Sequence, residues 1–281
     1  MTRSIDHVTF TGSDLERLQE AFETAGFEPT YGGSHSNGVT HMALVGFEDG
    51  SYVELIAKHD PDATAPWWDE QIDGDAGATA WAVPTDGSDA TAARLREAGF
   101  VVHGPTEYAR ERLDGEPVEW RLTVVGEGPQ GSRYPMVVED RTPLDRRTSI
   151  TEPAEETGIG GLSTTVVGTD EFETTVEGFE AFFGTEPSTI TESTGFGARI
   201  AHFRDAPVAV ASPLDETWLA ERVAARGTLP CAYLLDVTDP ATVRDRFALD
   251  GTTDWNEDVV HWLDLDVPGR LGVREAEVTA R

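Results

Sequence analysis

Hydrophobic and polar positions from Ile5 to Thr11 alternate as in a short strand. Asp14 then opens a stretch with Leu15, Leu18, Phe22 and Ala25 at helical spacing, closed by Gly26. After this strand and amphipathic helix come Pro29 to Gly33, Val39 to Phe47, a turn at Glu48-Asp49-Gly50, and Ser51 to Ala57, all patterned as strands. The unit reads βαβββ, and it begins again. Ala78 to Pro84 is strand-like, Asp89 to Ala98 is helical, and Ala25-Gly26-Phe27 recurs as Ala98-Gly99-Phe100. Val101 to Tyr108, Pro117 to Val125 and Tyr134 to Asp140 complete the second unit, with the glycine-rich turn Gly126 to Gly131 before its last strand.

The pattern lapses from Arg141 to Gly158, where Pro143 and Pro153 interrupt a polar stretch. Beyond it the same order returns with altered lengths: a strand at Gly161 to Val167, a helix at Glu171 to Phe183 and a long hairpin at Ala198 to Ala211. A fourth unit uses Pro230 to Val237, a helix at Ala241 to Ala248, and strands at Val259 to Val267 and Leu271 to Glu275. The expected organisation is a first domain at 1–145, a linker at 146–157 and a degenerate copy at 158–281.

Composition narrows the chemistry. With 21 Lys+Arg against 52 Asp+Glu the formal charge is -31, which would repel a nucleic-acid backbone. Lys58 is the only lysine, so P-loop and Schiff-base chemistry lack their residue. Because 38% of residues are hydrophobic, the acidic charge is expected on a folded surface, as in proteins of salt-loving organisms, and a given carboxylate is more often solvation than catalysis. Cys231 has no disulfide partner and reads as a small buried hydrophobe. No signal-like or membrane-length apolar run occurs, so a cytoplasmic compartment without membrane association is expected. Gly158-Ile159-Gly160-Gly161 falls short of a dinucleotide fingerprint, and no Gly-x-Ser-x-Gly elbow is present.

Three segments, Ile5-Asp6-His7-Val8, Gly38-Val39-Thr40-His41 and Asp49-Gly50-Ser51-Tyr52-Val53-Glu54-Leu55, resemble the glyoxalase-like branch of the vicinal oxygen chelate superfamily. The resemblance covers residues 4–140 directly and the remainder through element order. It implies an α+β fold in which paired βαβββ modules form cupped mixed sheets with helices on the outer face, here four modules in two pairs. It also implies that His7 and Glu54 bind a divalent metal, Zn, Mn, Ni or Fe. The second module departs from that pattern, because the position matching His7 falls on Ala80, or on Trp81 with one residue of slippage. Met136-Val137-Val138-Glu139 parallels Tyr52-Val53-Glu54, which makes Glu139 the second carboxylate, and His41 or His35 is left to complete the ligand set.

The function implied is a metal-assisted lyase or isomerase acting on a small substrate with vicinal oxygens, with Glu54 or Glu139 moving the proton. The rival readings are a metal-free binding or sequestering protein and an extradiol-type dioxygenase. Trp67, Trp68, Trp81 and Trp120 read as core or pocket wall. In the C-terminal half Thr164 and Ala209 or Val210 stand at the ligand-equivalent positions, so no second metal centre is expected there.

Overall fold

The computed structural model describes residues 4–112 and 115–275. Its first half runs β1 (His7–Thr11), α1 (Leu15–Ala25), β2 (Thr30–Ser34), β3 (Thr40–Gly46), β4 (Tyr52–Lys58), α2 (Asp69–Asp73), β5 (Gly77–Pro84), α3 (Ser88–Glu97), β6 (Val102–Glu111), β7 (Pro117–Val125) and β8 (Met136–Asp140). Two short helices, α4 (Leu144–Arg147) and α5 (Ala154–Thr157), occupy the polar stretch that follows. The second half runs β9 (Ile159–Gly168), α6 (Phe172–Phe183), β10 (Thr189–Ser193), β11 (Ala198–His202), β12 (Val208–Pro213), α7 (Trp218–Arg226), β13 (Leu229–Val237), α8 (Pro240–Arg246), β14 (Leu249–Trp255), β15 (Asp258–Leu263) and β16 (Arg270–Glu275).

Helix α1 forms where the periodicity places it, and its ends have visible causes. The Asp14 carboxylate accepts from the main-chain N–H groups of Glu16 and Arg17, and Gly26 ends the helix with φ at 112°, a left-handed conformation that suits glycine. Its buried stripe is Leu15, Leu18, Phe22 and Ala25.

The strands form two eight-stranded sheets of matching order, β2-β3-β4-β1-β5-β8-β7-β6 and β10-β11-β12-β9-β13-β16-β15-β14. The fold is the α+β arrangement of four βαβββ modules in two pairs. Within each sheet the first strands of its two modules, β1 with β5 and β9 with β13, lie antiparallel at the centre, while β1 pairs in parallel with β4 and β5 with β8. The strands β10 and β14, and the helices α2 and α7, lie outside the elements expected from the pattern of the sequence.

Strand alternation divides the side chains into two sets. One face of each sheet, with α1, α3, α6 and α8, contributes to a core shared by both halves, where Phe10 meets Phe22 and Tyr233, and Trp81 meets Phe179. The Tyr233 hydroxyl, at full burial, donates to the carbonyl oxygens of Thr9 and Ala80 in the other sheet. The other face of each sheet lines a cup. In the second half Phe196, Trp255, Trp262 and the α7 residues Leu219 and Val223 pack into it, and Thr164, His202 and Ala209 border a cavity of about 550 Å³ beside them. In the first half the corresponding α2 is shorter, and the cup also keeps an internal space.

Candidate functional site

The first cup encloses a cavity of about 80 Å³, room for a few water molecules as it stands. Its wall is apolar and aromatic: Met42, Leu44, Trp67, Trp68, Tyr108, Trp120, Leu122, Met136 and Val138. Tyr108 and Trp120 stack across the β6–β7 pair with centroids 6.0 Å apart, and the Trp68 indole N–H donates to the carbonyl of Gln130 at 3.0 Å. Its polar residues include His7, His35, Glu54, Arg110, Tyr52 and Arg147, with Ser36 and Gln130.

His7 and Glu54 meet because β1 and β4 are parallel neighbours whose register sets His7 opposite Tyr52 and Thr9 opposite Glu54. The Glu54 Oε2 to His7 Nε2 distance is 3.9 Å, and Glu54 Oε1 lies 3.3 Å from His35 Nε2. His35 reaches in from the β2–β3 hairpin, where the Asn37 side chain accepts from the N–H groups of Val39 and Thr40 and the Thr40 hydroxyl meets His35 Nδ1 at 2.9 Å. Burial works against the Glu54 charge, but the His35 hydrogen bond and the nearby His35, His7 and Arg110 outweigh it and hold its carboxyl below the usual range.

His7 is held on its other side. Its Nδ1 lies 2.6 Å from the Asp6 carboxylate, and its ring stacks on Tyr52 with centroids 4.9 Å apart. Asp6 in turn receives two bonds from the Arg147 guanidinium, at 2.8 and 2.6 Å, while Arg147 also donates to Asp140 and to the Tyr52 hydroxyl. Burial opposes the Asp6 charge, yet Arg147 and His7 hold its carboxyl well below the ordinary value. A carboxylate on Nδ1 fixes the imidazole tautomer and aims Nε2 at Glu54. Arg147 belongs to α4, in a stretch with no apolar period, and nothing in the sequence separates it from its neighbour Arg146. Asp6, Arg110 and Arg147 are the site residues that sequence reasoning missed; only the Asp-His dipeptide on an alternating strand hinted at the first.

Two expected ligands lie elsewhere. In the β7–β8 register Trp120 pairs with Asp140 and Leu122 with Val138, so the cup face of β8 carries Met136, Val138 and Asp140. Glu139 therefore points to the opposite face, where it accepts from the N–H of Ser88 at the start of α3 and pairs with Arg121 and Arg141. The parallel between Glu139 and Glu54 is out by one residue, and one residue of register exchanges the faces of a strand. His41 likewise faces away from the cup-lining Met42 and Leu44, against His59 at 4.1 Å and Tyr31 at 6.0 Å. Trp81 sits in the shared core, and Ala80 and Ala82 are the β5 residues on the cup side. Thr164 and Ala209 border a separate cavity beside His202, whose imidazole burial pushes down to about 4.

These donors do not fit the divalent ion that the resemblance implies. His7, His35 and Glu54 engage one another, the second module offers Ala80, Ala82, Met136 and Val138, and among the described residues no three His, Cys, Asp or Glu side chains are grouped to hold an ion.

The profile of the glyoxalase-like domain family matches residues 5–183. No curated protein is significantly similar in sequence. Among solved structures, a hypothetical protein from Staphylococcus aureus superposes with a TM-score of 0.62 at 12% identity, over 96% of this chain and 98% of that one. A variant of 4-hydroxymandelate synthase from Streptomyces coelicolor gives 0.64 at 14% identity, over 97% and 92%. The Mn(II)-bound glyoxalase from Novosphingobium aromaticivorans gives 0.60 at 12%, over 97% and 82%. At such identities the likeness is one of fold.

Proposed function

The chain belongs to the glyoxalase-like domain family of the vicinal oxygen chelate superfamily, and from that premise we propose that its first cup binds a small molecule with a flat apolar body and an oxygen-bearing head, and moves a proton at that head. The observation that carries this reading is the meeting of Glu54 with His7 and His35, at 3.9 and 3.3 Å, at one end of an aromatic-walled cavity. A binding site of this kind uses apolar surface for affinity and a few convergent polar groups for orientation.

The chemistry follows from the two environments. Glu54 is held ionised among histidines and can accept a proton from a carbon next to a carbonyl. His7, its Nδ1–H held on Asp6, can accept at Nε2 the proton of the substrate's neighbouring hydroxyl and return it to the former carbonyl oxygen, and Arg110 on the same wall offers positive charge where an enediolate-like charge develops. Return of the proton to the adjacent carbon is an isomerisation; its loss with a leaving group is a lyase reaction.

The test uses 2-hydroxyacetophenone, which has a flat ring and adjacent oxygens. Quenching of the cup tryptophans measures binding, and proton NMR in D2O follows exchange of its CH2 protons, with chelator present and again with added Mn(II). Binding with exchange in chelator, lost about 100-fold or more in Glu54→Gln, is the expected result. Exchange that needs Mn(II) would overturn the proton-transfer assignment. A second reading, sequestration without chemistry, is favoured by the apolar Ala80, Ala82, Met136 and Val138 on the second module's side; binding without exchange would select it.

A further inference from the structure

A second cavity, of about 230 Å³, adjoins the first, and Leu44, Arg110 and Arg147 line both. Arg110, Arg112, Arg146 and Arg147 face into it and no carboxylate does, in a chain where acidic residues outnumber basic ones by 52 to 21. Tyr31, 42% exposed, lines the same space. Against an acidic surface, such a local concentration of positive charge is the opposite of what solvation of the chain requires.

The arginines differ in how their charge is met. Arg147 is matched by Asp6 and Asp140, and Arg146 lies 3.6 Å from Glu116. Arg110 donates to two carbonyl oxygens, of Gly32 at 3.3 Å and Arg147 at 2.9 Å, and among the described residues no carboxylate lies within ion-pair distance of it. Carbonyl oxygens orient a guanidinium without neutralising it, and two such bonds leave further N–H donors. Burial, foremost, with the nearby charges of Arg112 and Arg147 holds the Arg110 guanidinium below its ordinary value, while Tyr52 and the Glu54 carboxylate oppose this from the cup side. Strand alternation gives the alignment: Tyr108, Arg110 and Arg112 share one face of β6 and its extension, so the aromatic wall continues directly into the basic one.

We propose that this cavity is an oxyanion subsite of the cup, in which Arg110, with Arg112 and Arg146, receives a carboxylate or phosphate group carried by the ligand whose flat body lies against Trp120 and Tyr108. The inference rests on the cup being a binding site, and extends it by naming the ligand as an organic acid or phosphate ester. Planar guanidinium forks match the oxygen spacing of both groups, and such charge-assisted bonds are the stronger class.

The experiment compares phenol, benzoate and phenyl phosphate, at fixed ionic strength, by quenching of the cup tryptophans in the full chain. The expected result is that benzoate or phenyl phosphate binds about tenfold or more tightly than phenol, the margin of one charge-assisted contact. The preferred anion identifies carboxylate or phosphate as the native group. In Arg110→Gln that ratio should fall to near one. In Arg146→Gln, at an exposed position where folding is not at risk, it should fall by about threefold with phenol binding unchanged. Phenol binding with no preference for either anion would overturn the subsite and leave the cup reading standing. Failure of all three to bind would overturn the cup reading and the subsite with it.

Discussion

Among the described residues, Arg147 ties together both sides of the site beneath His7. Its guanidinium spans Asp6, Asp140 and the Tyr52 hydroxyl, and it is 6% exposed. Removing it would leave two carboxylates without their cation, one of them fully enclosed, which is the costly way to break a buried pair. Arg147→Ala is therefore expected to lose about 3–5 kcal/mol in urea unfolding. It should also change the ¹⁵N shifts of the His7 ring, because Asp6 would no longer be held on Nδ1. Unchanged shifts would mean that Asp6 positions His7 without help. Glu54 gives a different lesson at this scale: its flanking apolar residues already marked it as a carboxylate that must face something polar, whereas His35 and His41 stood as alternatives in the sequence and only the folded hairpin at Asn37 selects His35 as its neighbour.

At the scale of elements, register and loop placement decide what a residue can do. The strand β8 is recognisable from its hydrophobic run, yet whether Glu139 or Asp140 faces the cup depends on pairing with β7, which local pattern does not contain. The α4 segment is a further case. The chain that follows it crosses the end of β3, which carries a glycine there: a Cβ built on Gly46 would come within 2.0 Å of the Ser149 carbonyl oxygen, while the Gly46 N–H donates to the Thr151 hydroxyl. Gly46→Ala should push the linker away, at a cost of roughly 1–3 kcal/mol, and weaken ligand quenching of the cup tryptophans by loosening Arg147. A variant as stable as the parent, with unaltered binding, would show that the linker can yield without moving α4. The difference between the two cups is also an element-level matter. Where α2 spans Asp69–Asp73, α7 spans Trp218–Arg226 and brings Leu219 and Val223 into the second cup.

Across the whole molecule, the two sheets share one core, and the linker crosses it at a titratable point. Glu152 is fully buried, accepts from the main-chain N–H of Glu28, and meets Arg246 of α8 at 3.2 Å. Burial pushes its carboxyl up to about 7, because Arg246 and the Glu28 N–H do not offset the lost hydration and Glu28 adds a like charge. A folded-state value above the unfolded one means that the stability contributed by this group is intact below about 4.5 and lost as pH rises through 7. Glu152→Gln has no charge to bury there. The difference in unfolding free energy between variant and parent should therefore shift in the variant's favour between pH 5 and pH 8, by on the order of 2 kcal/mol. A difference independent of pH would show that Arg246 neutralises the carboxylate in place.

The sequence by itself determined the repeated βαβββ order and the first helix with its caps, because hydrophobic periodicity and capping residues are local signals; the candidacy of His7 and Glu54 came with the family resemblance that their motifs carry. It also carried the departure of the second module, since alanine or tryptophan where a histidine was expected needs no coordinates to be noticed. Only the tertiary structure decided that Glu139 and His41 turn away, that His35 and Arg110 turn in, and that an arginine of the linker anchors Asp6 beneath the cup. Those facts depend on strand register, on hairpin geometry and on contacts between residues more than a hundred positions apart, as Asp6 and Arg147 are. A linear pattern has no term for any of the three, because each is fixed by which faces the packed sheets leave free.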